Sequence, residues 1–256
     1  MPRYFLELSY KGTHYSGFQS QKNANSVQAE VEKAFEILHH QPLQLTGSSR
    51  TDAGVHALQN YFHFDFEGEI HPQWQYKLNA ILPPDIVLKN LTRVDDEAHS
   101  RFDALSREYK YFIYTKKDPF LQDRAYFFPY RLDREKLQQA ADILREYRDF
   151  TSFSKRNTQV KTFMCNILES EWIEEGGCLV FHVKADRFLR GMVRALTSTM
   201  LKVGRGKTSI EGFRGIIEAR DCTKASFAVP AHGLFLVRVE YPEETLGRGN
   251  QNVQLS

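Results

Sequence analysis

The sequence predicts an α/β chain, more narrowly α+β, built from two successive β-α-β-β-α-β halves. Three observations lead there. Stretches such as NYFHFDFE at 60–67 alternate apolar and polar residues with the period of a half-buried strand. Others, such as 26–40 and 132–147, place apolar residues three or four positions apart, as one helix face does. Finally, the order in which these stretches occur up to residue 104 recurs after it.

Residues 3–11 alternate, are rich in Tyr, Phe and Leu, and read as a strand. In 26–40, Val27, Val31, Phe35 and Leu38 share one helical face, with Asn25 and Gln28 as an expected capping box. Residues 43–49 are a short strand. In 60–67, Phe62, Phe64 and Phe66 alternate against Tyr61, His63 and Asp65. A helix over 72–82 stops before Pro83–Pro84, and 86–94 is a strand. The second half opens with a strand at 107–116. The helix at 132–147 shows Leu137, Ala140, Leu144 and Tyr147 on one face. Strands at 162–174 and 178–186 meet at Gly176–Gly177, a hairpin signal. Helices at 188–203 and 209–220 and a strand at 233–241 complete the order. Each half has the order of a split βαβ, ferredoxin-like unit. The expected organisation is a half at 1–104 and a half at 105–256, with mixed antiparallel sheets flanking a central cleft, where a ligand is expected.

With 256 residues and 41% hydrophobic content, the chain can bury a sizeable core. No run approaches the roughly 18 apolar residues of a membrane span, and MPRYFLELSYKG lacks the pattern of a signal peptide. Cys165, Cys178 and Cys222 are sparse and lack metal-ligand spacing, as expected of a reducing compartment. A soluble, cytoplasmic protein without a membrane partner is expected. Net charge is +2 but uneven: residues 1–104 hold 9 Lys and Arg against 13 Asp and Glu, so the second half carries the basic excess. In 187–207, RFLRGMVRALTSTMLKVGRGK, there are six basic residues and no acid. With the Phe-containing stretch at 150–168, this fits either a polyanion-binding face, with Arg187, Arg190, Lys202 and Arg205 as its contacts, or a solvated helix face.

One loop concentrates chemistry among small residues. TGSSRTDAGVHA at 46–57 contains Arg50, Asp52 and His56, and Val55 is its single bulky apolar residue. Small residues allow tight turns and close ligand approach. No other acid lies within ten residues of Asp52, so a paired-carboxylate hydrolase is not indicated. A lone carboxylate can serve as nucleophile or general base. His56 reads as a structural histidine bonding the loop backbone. His63 and Asp65 lack metal-ligand spacing, and GSSRTDAG lacks the Walker lysine. No metal site is expected.

GSSRTDAGVHA resembles the signature of the TruA family of tRNA pseudouridine synthases. YKGTHYSGFQSQ at 10–21, RFDALSREYKYFIY at 101–114, DFTSFSK at 149–155, RFLRGMVR at 187–194 and GLFLVRVEYP at 233–242 resemble further blocks of that family, in the same order. The resemblance implies two ferredoxin-like halves around a cleft. It implies isomerisation of uridine to pseudouridine in the anticodon arm of tRNA by a homodimer, with no metal and no cofactor. The family's invariant aspartate falls on Asp52. Its base-displacing arginine falls on Arg50, its active-site tyrosine on Tyr109, and the arginine partner of its catalytic carboxylate on Arg194. For Tyr109 a core strand tyrosine, and for Arg194 a generic phosphate contact, are the competing readings.

Lys11 stands where the family usually has Asp, Phe18 where it has Trp, and Ser49 where Gly is common. These departures leave open a paralogue with a narrower or shifted target. A non-catalytic RNA-binding protein is the alternative of another class, but no strand carries the K/R-G-F/Y-G/A-F-V-x-F/Y pattern of RNA-recognition folds. A metal-dependent hydrolase, a third alternative, would be signalled by loss of activity in chelator.

Overall fold

The computed structural model describes residues 1–68, 70–156 and 160–247, in two compact units. The first comprises Met1–Leu105 and the chain from Leu236 onward; the second is Ser106–Phe235. Residues from Leu236 thus belong with the first unit, although they follow the second in sequence.

In the first unit, β1 (Arg3–Tyr10) is central and antiparallel to both β3 (His56–Asp65) and β4 (Ile86–Val94). Register places Leu6 opposite Phe62 on one side and Leu91 on the other, and Leu6 is wholly buried. The two-residue β2 (Thr46–Gly47) pairs with β3 at Phe62 and His63. α1 (Val27–His39) buries Val27, Val31, Ala34 and Phe35, the stripe its periodicity predicts. Phe35 meets Phe64 of β3 at 5.3 Å and Trp74 of α2 (Trp74–Ile81) at 6.1 Å. Truncating so buried a Phe costs about 3–5 kcal/mol, so α1 is held by this face. The order β-α-β-β-α-β is that of the sequence reading.

In the second unit, β5 (Ser106–Tyr114) pairs antiparallel with β8 (Cys178–Ala185), and β8 with β7 (Ile167–Glu175). Gly176 and Gly177 join β7 to β8 with φ of +57° and +76°, as a tight hairpin turn requires. β6 (Tyr126–Phe127) runs parallel to the end of β5. α3 (Arg134–Ile143) is capped by Asp133, which accepts from the Lys136 N–H at 3.1 Å. α4 (Met192–Gly204) buries most of its length, and α5 (Ile210–Glu218) is capped by Ser209. β9 (Leu234–Glu240) begins in this unit, where Phe235 packs edge-on against Phe112, and its remainder lies in the first unit before α6 (Glu243–Leu246).

Side chains alternate across β5. Tyr109, Tyr111 and Ile113 are buried, with the Tyr111 hydroxyl donating to Pro230 O at 2.7 Å. Between them, Glu108 and Lys110 join a charged face with His182 and Lys184 of β8 and Glu169, Glu171 and Glu175 of β7.

Several boundaries differ from the sequence reading for identifiable reasons. The cap of α1 is Ser26, whose Oγ accepts from the Ala29 N–H at 3.2 Å, not Asn25. Gln28 instead accepts from the Ser20 N–H and donates to Leu45 O. α4 starts at Met192 and not at 188, because Gly191 has φ +74° and interrupts the helix. Likewise β7 starts at Ile167 rather than 162. β3 starts at His56, so that histidine lies on a strand. No helix among the described residues is long and apolar enough to cross a membrane.

Candidate active site

The loop between β2 and β3 is fastened to residues 10–18, which run from the end of β1 through a 3-10 turn at Gly12–His14. The Phe18 N–H donates to Thr51 O at 3.1 Å, and the Gly54 N–H to Tyr15 O at 3.3 Å. The loop closes on itself where the Val55 N–H donates to Asp52 O at 3.2 Å, with Gly54 at φ +78°. His56 is buried, and its Nδ1 accepts from the Gly12 N–H at 3.1 Å. His56 therefore supports the loop backbone, as the sequence reading expects.

A buried polar chain holds the other side. Asn60 Nδ2 donates to Ser49 O at 2.9 Å and to the Tyr10 hydroxyl at 3.2 Å. Since Tyr10 already accepts there, its own proton is available for Thr51 Oγ1, 2.7 Å away. Every member of this chain is buried, so each bond removed leaves a polar atom without solvent.

The small residues have a steric cause. A Cβ on Gly47 would lie 2.4 Å from Cε1 of Phe18, whose ring stacks on Phe62 at 4.5 Å and on Tyr10 at 5.7 Å. A Cβ on Gly12 would lie 2.0 Å from Val55 O. Phe18 thus fills a slot beneath the loop. Beside it, the Tyr15 hydroxyl donates to Asp85 Oδ1 at 2.5 Å, and burial followed by that bond raises its pKa. On this scaffold Asp52 is half-buried, whereas Arg50 is exposed and has no side-chain partner among the described residues.

The other named residues lie in the second unit. Tyr109 sits on β5 opposite Val183, is 9% exposed, and packs edge-on against Phe188 at 5.1 Å. Arg194, in the first turn of α4, directs Nε and Nη2 to Val229 O at 3.1 and 2.7 Å. Arg187 is half-buried and Arg190 exposed, just before that helix. Lys202 and Arg205 are at its far end, about 18 Å away at 1.5 Å per residue. Because the intervening residues are core, the basic segment 187–207 forms two separate cationic ends rather than one stripe.

His63 and Asp65 have structural partners. Asp65 pairs with Arg3 at 2.7 Å, and His63 Nδ1 is 2.8 Å from Ser100 Oγ. Burial, then His99, lowers the His63 pKa to about 4. Among the described residues no group of three His, Cys, Asp or Glu is placed to hold a metal ion.

The sequence reading missed Tyr10 and Asn60. A signal for Asn60 was present: it occupies the register of Phe62, Phe64 and Phe66, so a polar side chain takes an inward position of β3.

A family model described as tRNA pseudouridine synthase matches residues 8–103 and 146–242. The chain is 50% identical over 246 residues to tRNA pseudouridine synthase A of Parabacteroides distasonis, covering 95% of this chain and 98% of that protein. It is 46% identical over 260 residues to the protein of that name from Bacteroides thetaiotaomicron, covering 100% and 97%. Identity to the one from Staphylococcus aureus is 36% over 247 residues, covering 95% and 92%.

Proposed function

Because the chain belongs to the tRNA pseudouridine synthase family, whose members are isomerases, we propose that it converts uridine to pseudouridine in the anticodon stem-loop of tRNA through the lone carboxylate of Asp52. The observation that carries this reading is the fixation of the backbone on both sides of Asp52. Thr51 is held by Phe18 N–H and Tyr10, and Gly54 by Tyr15, so one acid is presented in a fixed place.

The reaction breaks the N1–C1′ bond, turns the uracil and forms a C5–C1′ bond; C5 loses a proton and N1 gains one. A carboxylate either attacks C1′ or removes a ribose proton to give a glycal, and one suffices on either route. The exchange is redox-neutral and needs no redox cofactor; that the reading includes no metal and no other cofactor is what the family resemblance implies.

The target base must leave its stack. Exposed Arg50 is the group proposed to displace it. Tyr109 covers the detached uracil, with its hydroxyl near the C5 proton. Arg194 is the cationic partner of the catalytic carboxylate, which favours the ionised form. The first unit carries the catalytic loop. The second supplies RNA contacts, with Arg187, Arg190, Lys202 and Arg205 facing phosphate. The working form is a cytoplasmic homodimer acting on tRNA, as the family resemblance implies.

The test is to incubate the purified protein with unmodified tRNA transcripts and map pseudouridine by carbodiimide-dependent primer extension. Pseudouridine in the anticodon stem-loop is expected. Pseudouridine elsewhere in the tRNA would assign the shifted target that Lys11 leaves open, and none anywhere would overturn the reading.

A further inference from the structure

One end of the second unit gathers exposed aromatic rings and cations well away from Tyr109 and Arg194. Because β6 is parallel to β5, Thr115 and Phe128 leave those strands at the same end. The Gly176–Gly177 turn lies there too, since Ile113 pairs with Leu179. The C-terminus of α4 joins them where the Asp133 N–H donates to Gly204 O at 2.8 Å. Tyr114 ends β5 five residues after Tyr109, so this end is about 16 Å from Tyr109 at 3.3 Å per residue.

The segment 115–131, TKKDPFLQDRAYFFPYR, has Lys116, Lys117, Arg124 and Arg131 against Asp118 and Asp123. Phe120, Phe127 and Tyr130 are 81%, 38% and 48% exposed. Arg205 lies over the Tyr130 ring with its guanidinium carbon 3.8 Å from the centroid, a cation–π contact that holds both groups in place. Beside Tyr130 opens a cavity of about 520 Å³, lined among others by Arg131, Arg134, Glu174, Glu175 and Gly176. Its carboxylates are already engaged, Glu174 by Arg134 and Glu175 by Lys110. Neither Arg131 nor Arg205 has a carboxylate partner among the described residues. The uncompensated charge at this cavity is therefore cationic, next to an exposed ring.

A ligand that satisfies both features is planar and anionic, as a nucleotide of a polynucleotide strand is. We propose that Tyr130, Arg131 and Arg205 form a second RNA contact, at which a nucleotide remote from the modified uridine stacks on Tyr130 and its phosphates meet the two guanidinium groups. It rests on the reading that RNA is the substrate. The separation from Tyr109 fits one strand reaching both places and excludes a single nucleotide doing so.

The test measures binding of a full-length tRNA transcript to the whole protein, with pseudouridine formation followed in parallel. Tyr130→Ala should weaken binding roughly 5- to 150-fold, the range of one lost base stack, and Arg131→Ala should weaken it measurably through the lost phosphate contact. Tyr130→Phe, which keeps a stacking face, should bind like wild type. Arg131→Ala should also lower the slope of log affinity against log salt by roughly one, as loss of one phosphate contact requires. Uridine monophosphate is the second arm. If it binds wild type and Tyr130→Ala abolishes that, while tRNA affinity is unchanged in both Ala variants, the site takes free nucleotide and the proposal is overturned. Wild-type affinity for tRNA in both variants without mononucleotide binding overturns it as well. Failure of the functional reading would look different: wild type itself would form no pseudouridine.

Discussion

Replacing Gly12 by Ala tests whether the position of the candidate catalytic loop is set by its seat on residues 10–18. A methyl group there would sit 2.0 Å from Val55 O and 2.7 Å from Val55 C, both backbone atoms. Contacts under 3.0 Å do not persist, so the Val55 carbonyl must retreat by about 1 Å, the gap between 2.0 and 3.0 Å. The shift propagates, because the Val55 N–H closes the turn on Asp52 O and the Gly12 N–H bonds His56 Nδ1 on the neighbouring residue. Overpacking of this kind costs about 1–3 kcal/mol, and a 1 Å misplacement at a reacting group costs about 10²-fold in rate. Single-turnover tritium release from C5-labelled uridine in tRNA measures the rate; tRNA affinity and thermal unfolding are followed alongside. The expected variant is folded, binds tRNA within about two-fold of wild type, and is slowed about 10²-fold. A folded variant with the wild-type rate would refute the claim that this seat positions Asp52.

Gly215, in α5, is the contrasting glycine: a Cβ there meets nothing within 4 Å, so Gly215→Ala should add about 0.5–1 kcal/mol and raise Tm without changing activity; an unchanged or lower Tm would contradict this. His182 donates from both ring nitrogens only as the imidazolium, and its bonds to Glu108 Oε1 at 2.9 Å and Glu171 Oε1 at 3.1 Å raise its pKa. A raised folded pKa makes this stabilisation complete below the unfolded value of about 6.5 and loses it as pH rises through the folded pKa. The urea midpoint of wild type should therefore exceed that of His182→Gln most at pH 6 and least at pH 9, and a pH-independent gap would count against the clamp. Tyr109→Phe separates hydroxyl from ring: if the hydroxyl helps remove the C5 proton, single-turnover rate falls about 10²–10⁴-fold with tRNA affinity intact, whereas a full rate would exclude the hydroxyl role.

Strands and helices with clean periodicity were legible in the sequence because burial imposes that periodicity. β4 at 86–94 and the buried stripe of α1 are examples. Ends set by single-residue geometry were not. Gly191 looks like any glycine in RFLRGMVR, and only its φ of +74° shows that α4 begins after it. β6 is two residues long and has no period to read. The basic run 187–207 reads as continuous, but the core residues of α4 divide it into two ends. At the candidate site, Asp52 stood out by its isolation among small residues. The reason for those small residues did not, because Phe18 under Gly47 and Gly12 under Val55 are contacts between segments far apart in sequence.

The most direct measurement of the central claim is single-turnover pseudouridine formation by Asp52→Asn with saturating enzyme and tRNA labelled at C5. The substitution keeps the side chain's size and the backbone bonds of Thr51 and Val55, but removes the carboxylate. The prediction is tRNA binding and thermal stability like those of wild type, with no release of tritium above background. Turnover close to wild type in a variant that binds normally would show that another group carries the chemistry.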